Sequence, residues 1–173
     1  MLKTDPIKRL PKIVDPRKMA LSSASFQRFL EGSDLPRLSE VTDAVLSIMV
    51  DISFSYDWHH RKIVQGTVCA DLELQCQRCL KSMVVQLESK VHLAVVKDEE
   101  QAGRLPKSVE PWFVEEDEGD LHAALEDEIL LSLPLVPRHV NECVSVTDMK
   151  FGEEIEESPT VNPFDVLAQL KKD

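Results

Sequence analysis

Glycine is scarce in this sequence, with five residues among 173. None of them forms a glycine-rich phosphate loop, and the chain contains neither an H-E-x-x-H motif nor a serine, histidine and acid arrangement typical of hydrolases. The sequence therefore offers no support for catalysis, and we predict that the protein is not an enzyme.

Long apolar runs are also missing. No stretch reaches the roughly eighteen apolar residues that a membrane-spanning helix needs, and no apolar block near the N-terminus precedes a small-residue cleavage site. Four cysteines in a chain without a secretory signal indicate a reducing compartment, where thiols stay free or bind metal. We expect a cytoplasmic protein that has no membrane partner and no small-molecule substrate.

Positive charge is in short supply, since the formal net charge is −11. A protein so acidic repels a phosphate backbone over most of its surface. The charge is unevenly distributed, however, with one basic block and one acidic block. Each block is either ordinary solvated surface or a contact surface for a partner. The candidate RNA contacts are Lys8, Arg9, Lys12, Arg17 and Lys18 in the N-terminal region. The candidate contacts for a basic protein are Glu115, Glu116 and Asp117.

Alternation of apolar and polar side chains predicts three strands in the centre of the chain, over residues 44–57, 62–76 and 83–96. The links between them are short, which favours antiparallel neighbours. Asp120 is a predicted N-cap for a helix that ends at Pro134. We therefore predict an α+β fold, with an antiparallel β meander of three or more strands packed against flanking helices.

The remaining segments are predicted to be less regular. Residues 97–119 lack periodicity, which predicts a flexible acidic loop with Trp112 and Phe113 as an anchor. We divide the chain into a basic N-terminal arm with short helices (1–35), an α+β core domain (36–143), and a linker followed by a C-terminal helical tail (144–173).

The C-terminal sequence NPFDVLAQLKKD carries helix-terminus signals, with Asn162 as N-cap and Pro163 at the first helical position. Phe164, Leu167 and Leu170 would form an apolar face. Because a helix this short is marginal in water unless such a face docks, the tail either packs on its own sheet or binds a partner.

Two cysteines, Cys76 and Cys79, lie in the sequence LELQCQRCLKSMVV at the junction of the second and third predicted strands. If they flank a two-residue turn, their Cβ atoms face each other closely enough for both thiolates to reach one zinc ion. A thioredoxin-like redox pair fits less well, because such pairs open a helix whereas a strand follows here. His139 and Cys143, four positions apart, complete a candidate Cys3His set of zinc ligands.

Three features together resemble a known family: CQRCL at the strand turn, EDEILLSLPLVPRH followed by Cys143, and the terminal NPFDVLAQLKK. In order and spacing they are similar to the bacterial YceD family, the large ribosomal RNA subunit accumulation proteins, over nearly the whole chain. The resemblance implies a non-enzymatic role in the synthesis, processing or stability of the 23S ribosomal RNA.

The chain departs from the family pattern near the cysteines. Many relatives carry Cys-x3-Cys where this chain has His139 and Cys143, followed by a second Cys-x2-Cys pair where this chain has VSVTDMKFG. Since that second pair is missing, we expect a turn without metal and keep the Cys3His zinc site as the alternative.

The negative charge favours one mechanism within ribosome assembly. An acidic protein is better suited to hold a basic large-subunit ribosomal protein, or to dock on a pre-large-subunit particle, than to clamp bare RNA. The competing hypothesis is a direct rRNA-binding module that protects a processing site, and it predicts RNA affinity that falls steeply with salt.

Overall fold

The computed structural model describes residues 9–115 and 117–145. In chain order, the elements are β1 (Ile13–Val14), α1 (Pro16–Leu21), β2 (Ser25–Leu30), a 3-10 turn (Gly32–Asp34), α2 (Pro36–Val41), β3 (Ala44–Tyr56), β4 (Lys62–Gln75), β5 (Ser82–Val96), α3 (Glu99–Ala102), β6 (Glu110–Phe113), β7 (Gly119–Asp120) and α4 (Leu121–Ser132). None of these helices is long and apolar enough to cross a membrane.

A five-stranded sheet in the order β2-β3-β4-β5-β6 forms the centre of the fold. The first three pairings are antiparallel, and β6 joins β5 in parallel at the edge. The short strands β1 and β7 pair separately. The α+β prediction is thus confirmed, and the three predicted strands correspond to β3, β4 and β5.

One face of the sheet carries the hydrophobic core. Side chains that alternate along the strands point to this face, as in Ile52 of β3 and Val68 of β4, and both are buried. Helix α4 covers this face with Leu125 and Ile129, which are also buried. Leu46 shares the alternation of Ile48 and Val50, which predicts it on the same face, but it is exposed because a register shift between Val45 and Ser47 turns the strand locally.

Strand β6 lies inside the segment that the sequence predicted as a loop. Its four residues, EPWF, include a proline, which suits an edge strand and conceals the strand signal. Trp112 is 7% exposed and anchors the segment as predicted, whereas the Phe113 side chain is exposed. Elsewhere in the segment, α3 and the residues next to it are mostly exposed.

Two buried polar side chains hold α4 in place. The Glu126 carboxylate accepts a hydrogen bond of 2.9 Å from the backbone N–H of Leu38, in the first turn of α2. That N–H has no partner within its own helix, so the carboxylate acts as a cap from a neighbouring element. His122 pairs through Nε2 with the Leu10 carbonyl at 3.0 Å. These contacts fix the helix from which the C-terminal part of the described chain departs.

Candidate metal centre

The turn between β4 and β5 contains both cysteines of the Cys-x2-Cys motif. Strand pairing ends at Gln75 and Ser82, so the turn spans residues 76–81 and the predicted two-residue turn is wrong. The Cys76 N–H donates to the Lys81 carbonyl at 2.9 Å, and the Leu80 N–H donates to the Cys76 carbonyl at 2.8 Å. Leu80 adopts a φ of +58°, which closes the turn without glycine or asparagine.

The segment that follows α4 runs along this turn. The Gln77 N–H donates to the Pro137 carbonyl at 2.8 Å, and the Arg78 guanidinium donates to the Asn141 carbonyl. Helix α4 ends at Ser132, two residues before Pro134, which is the proline that the sequence predicts as its end. The segment after the helix therefore runs next to the β4–β5 turn, and His139 lies beside Cys79.

All four predicted ligands come together. The Cys79 Sγ and His139 Nδ1 atoms are 3.4 Å apart. The ligand atoms of Cys76, Cys79, His139 and Cys143 all lie within 4.8 Å of one another, with Cys76 buried and the other three half-buried. Thiolates on a tetrahedral zinc ion, with Zn–S bonds of about 2.3 Å, are roughly 3.8 Å apart. The cluster is therefore of a size that can hold a metal ion such as zinc.

The environment of Cys76 favours its thiolate. Burial opposes ionisation, but the backbone N–H groups of Cys79, His139 and Arg78 and the side chain of His139 outweigh it and lower the pKa of the Cys76 thiol to about 5. At neutral pH the sulfur is then negatively charged, which is the form that binds metal.

This arrangement is typical of a structural metal site. Four protein ligands fill a tetrahedral zinc ion and leave no position for a reactive water. The redox interpretation fits poorly, because Cys76 precedes a turn and not a helix N-terminus. A bound ion would instead tie the β4–β5 turn to the segment around His139.

Exposed apolar side chains surround the cluster. Leu80 in the turn and Leu135 and Val140 in the returning segment all point into solvent. A metal ion in the centre would hold these three side chains in fixed positions.

The predicted basic arm is partly neutralised where the structure describes it. Arg9 pairs with Glu31 at 3.1 Å, Lys12 with Asp120 at 3.8 Å, and Lys18 with Asp15 at 3.0 Å. Arg17 is exposed. Lys8 lies outside the described residues.

The predicted acidic contacts are described in part. Glu115 and Asp117 are exposed on either side of a short turn that the Glu115–Glu118 bridge closes, and Asp117 has a φ of +63°. Glu116 lies outside the described residues, as do Asn162, Pro163, Phe164, Leu167 and Leu170 of the predicted C-terminal helix.

Sequence reasoning missed an acidic groove between β6 and α4. This groove, which we call the α4 groove, encloses a cavity of about 400 Å³ lined by Trp112 and Leu131 together with the carboxylates of Glu110, Asp127 and Glu128. Burial, followed by the nearby charges of Glu110 and Asp127, raises the pKa of Glu128 above its usual value. Glu110 belongs to β6, whereas Asp127 and Glu128 are neighbours in α4, so the local sequence does not show that the three carboxylates meet.

Comparison with known proteins identifies relatives of this chain. A family model described as "Large ribosomal RNA subunit accumulation protein YceD" matches residues 64–171, which is more than half of the sequence. The chain is 39% identical over 171 residues to the protein of that same name from Haemophilus influenzae, and the match covers 95% of this chain and 97% of the relative. No solved structure matches the chain.

Proposed function

Because the chain belongs to the YceD family of large ribosomal RNA subunit accumulation proteins, we propose that it supports the synthesis, processing or stability of the 23S ribosomal RNA without catalysing a reaction. The family membership carries this proposal. The closed ligand set of the Cys3His cluster supports a structural site in place of a catalytic one.

Its mode of action, in this proposal, is to hold a basic large-subunit ribosomal protein or a pre-large-subunit particle. The α4 groove supports a cationic partner. The raised pKa of Glu128 reflects burial and the repulsion of Glu110 and Asp127, so a lysine or arginine from a partner would relieve that repulsion. Arg37 already pairs with Asp127, which leaves Glu110 and Glu128 as the carboxylates for a partner. Neither of them forms an ion pair with a described residue.

The apolar walls of the α4 groove add a second requirement for the partner, which is an apolar side chain. Trp112, Leu93 and Leu131 line the same cavity as the carboxylates. A partner segment that combines a cationic side chain with an apolar one would therefore match both. Ribosomal proteins carry basic segments to neutralise RNA, and an acidic factor can cover such a segment before RNA is available.

We expect that Glu110→Gln with Glu128→Gln weakens capture of a basic partner. Each lost charge removes one attraction at the groove, and two together should reduce recovery about tenfold at physiological salt. The measurement is affinity purification from cells with crosslinking and RNase treatment, followed by identification of large-subunit ribosomal proteins. The matched control is Glu40→Gln with Glu88→Gln, which removes the same charge from exposed positions outside the groove.

Undiminished recovery from the groove variant would show that another surface holds the partner. Recovery that disappears entirely with RNase treatment would instead favour the competing hypothesis, a direct rRNA-binding module that protects a processing site.

The C-terminal residues Asn162, Pro163, Phe164, Leu167 and Leu170 are the second contact in this proposal, with Glu115, Glu116 and Asp117 as flanking acidic contacts. We expect Phe164→Ala with Leu167→Ala to lower recovery of the same ribosomal proteins severalfold, because it removes most of the apolar face. The same purification measures it, with Val161→Ala as a control. Equal recovery from the double variant and the control would exclude the tail as an anchor.

A further inference from the structure

An exposed tryptophan lies at the end of the sheet opposite the cysteines. Trp58 sits in the turn between β3 and β4, and 84% of its surface is exposed. Strand β4 separates this turn from the Cys3His cluster by 14 residues, a distance of roughly 45 Å along an extended strand. An indole so exposed adds little to the stability of the fold, so packing does not explain its presence.

The turn that carries this indole has a well-ordered backbone. The Asp57 carboxylate accepts hydrogen bonds from the backbone N–H of His59 at 2.9 Å and of Arg61 at 2.8 Å. It also accepts one from Arg61 Nε at 2.6 Å. The Asp57 N–H closes the loop by donating to the Arg61 carbonyl at 3.0 Å. These bonds order the loop before any ligand arrives, which lowers the entropic cost of binding.

The indole is part of an aromatic platform beside a cavity. The rings of Trp58 and His59 lie 3.3 Å apart between centroids, at an angle of 36°. A cavity of about 440 Å³ next to them is lined by Tyr56, Trp58 and His92, with Gln65 and Ser108 among its polar groups. This volume falls in the range of about 300–1,000 Å³ found for small-molecule sites. It has room for a planar base, with hydrogen-bonding groups at the edge.

The lining of this cavity carries little negative charge. Of the described residues that line the cavity, Asp57 is the one carboxylate, and Arg61 neutralises it. Three lysines flank the cavity without lining it. Lys62 begins β4 beside the turn, and Lys107 sits between two residues of the lining. Lys90 lines an adjoining cavity on the open face of the sheet, together with His92 and the Asp51 carboxylate. None of these three lysines forms an ion pair within residues 9–115 and 117–145. Their ammonium groups are therefore available to phosphate.

We propose that the Trp58 turn binds an unpaired nucleotide of single-stranded RNA, with the base on the Trp58–His59 platform and the phosphates near Lys62, Lys90 and Lys107. Stacking on an exposed aromatic ring accepts any base, because every base has a π-face. Flat duplex ends and double-stranded segments lack a free base and fit the cavity poorly. The inference rests on the proposed function, since it places ribosomal RNA at one end of the sheet and a basic protein at the α4 groove.

The test uses the purified full chain and a fluorescein-labelled twelve-nucleotide RNA without secondary structure, measured by fluorescence anisotropy at several salt concentrations. We expect Trp58→Ala to weaken binding about tenfold or more, and Trp58→Phe to retain most of the affinity. Lys62→Gln and Lys107→Gln should each reduce the slope of log affinity against log salt by about one. A duplex of the same sequence should bind much more weakly than the single strand.

The matched control is Phe29→Ala, which removes another exposed aromatic side chain, 59% exposed, from the open face of the sheet. Circular dichroism and thermal melting confirm that both variants fold. The proposal is overturned if Trp58→Ala binds RNA as the unchanged protein does, if duplex and single strand bind equally, or if no RNA binds. Crosslinks from the Trp58 turn to a protein in place of RNA would overturn it as well.

The same variants separate this inference from the proposed function. Trp58→Ala should still capture ribosomal proteins, and the Glu110→Gln and Glu128→Gln variant should still bind the RNA. Loss of RNA binding with intact protein capture contradicts only the inference about Trp58. Intact RNA binding without protein capture contradicts only the proposed mode of action at the α4 groove.

Discussion

Replacing Cys76 with serine is expected to abolish tight zinc binding and to lower the melting temperature by on the order of 10 °C. Serine offers a weak neutral ligand where the buried thiolate stood, so one of four bonds is lost together with its charge. We expect affinity to fall by more than the ~10–100-fold that follows the loss of an outer-shell partner. Titration of the metal-free chain with zinc under reducing conditions measures this, with elemental analysis for stoichiometry.

Cys69→Ser is the matched control for this substitution. Cys69 is half-buried on the open face of the sheet, opposite Met49 and Glu88, and is not part of the Cys3His cluster. The Cys69→Ser variant should still bind one zinc ion per chain. His139→Ala should lose zinc binding, as expected for Cys76→Ser. Equal zinc binding by the Cys69 and Cys76 variants, or no zinc bound by the unchanged chain, would refute a metal centre.

A metal at this cluster would connect two parts of the proposed mechanism. The ligands come from the β4–β5 turn and from the segment that follows α4, and α4 forms one wall of the α4 groove. Zinc binding would tie the segment that follows that helix to the β4–β5 turn of the sheet. Loss of zinc should therefore weaken partner capture even though no ligand touches the groove, which gives the Cys76 variant a functional readout in the same purification.

The long strands and the main helix are predictable from sequence because their signals are local. Strand β4 keeps every second side chain apolar from Val64 to Leu74 apart from Gly66, and α4 begins at an aspartate whose carboxylate accepts the Ala123 N–H at 2.9 Å. Strand β2 cannot be predicted from local sequence in this way. Its apolar residues Phe26, Phe29 and Leu30 have the spacing of a helix face, and only pairing with β3 makes the segment a strand.

The candidate site also has parts that the local sequence predicts and parts that it does not. The ligand pairs are recognisable because Cys-x2-Cys and His-x3-Cys spacings are set within a few residues of chain. The length of the turn was not predictable, because Leu80 takes a left-handed conformation that its residue type disfavours. The α4 groove and the Trp58 cavity depend on which strands become neighbours, so they require the tertiary structure.

The second large effect is expected at Gly66, where alanine should destabilise the fold by at least about 3 kcal/mol. Gly66 lies in the middle of β4, paired with Ile52 on one side and Val91 on the other. A Cβ atom there would lie 2.0 Å from the Asp51 carbonyl oxygen and 2.7 Å from the Ile52 Cα. Both are backbone atoms, so the clash can be relieved only if β3 and β4 separate.

Urea unfolding of Gly66→Ala measures this cost, and Gly103→Ala provides the control. Gly103 follows α3 with a φ of −64°, and a Cβ there meets the Glu99 carbonyl oxygen at an ordinary 3.4 Å. We expect that variant to stay within about 0.5 kcal/mol of the unchanged protein. If both variants unfold at the same urea concentration, then β3 and β4 do not approach as closely as the structure has them at Gly66. The Trp58 turn, which extends from the same two strands, would then lack the rigid support that its proposed role in binding RNA requires.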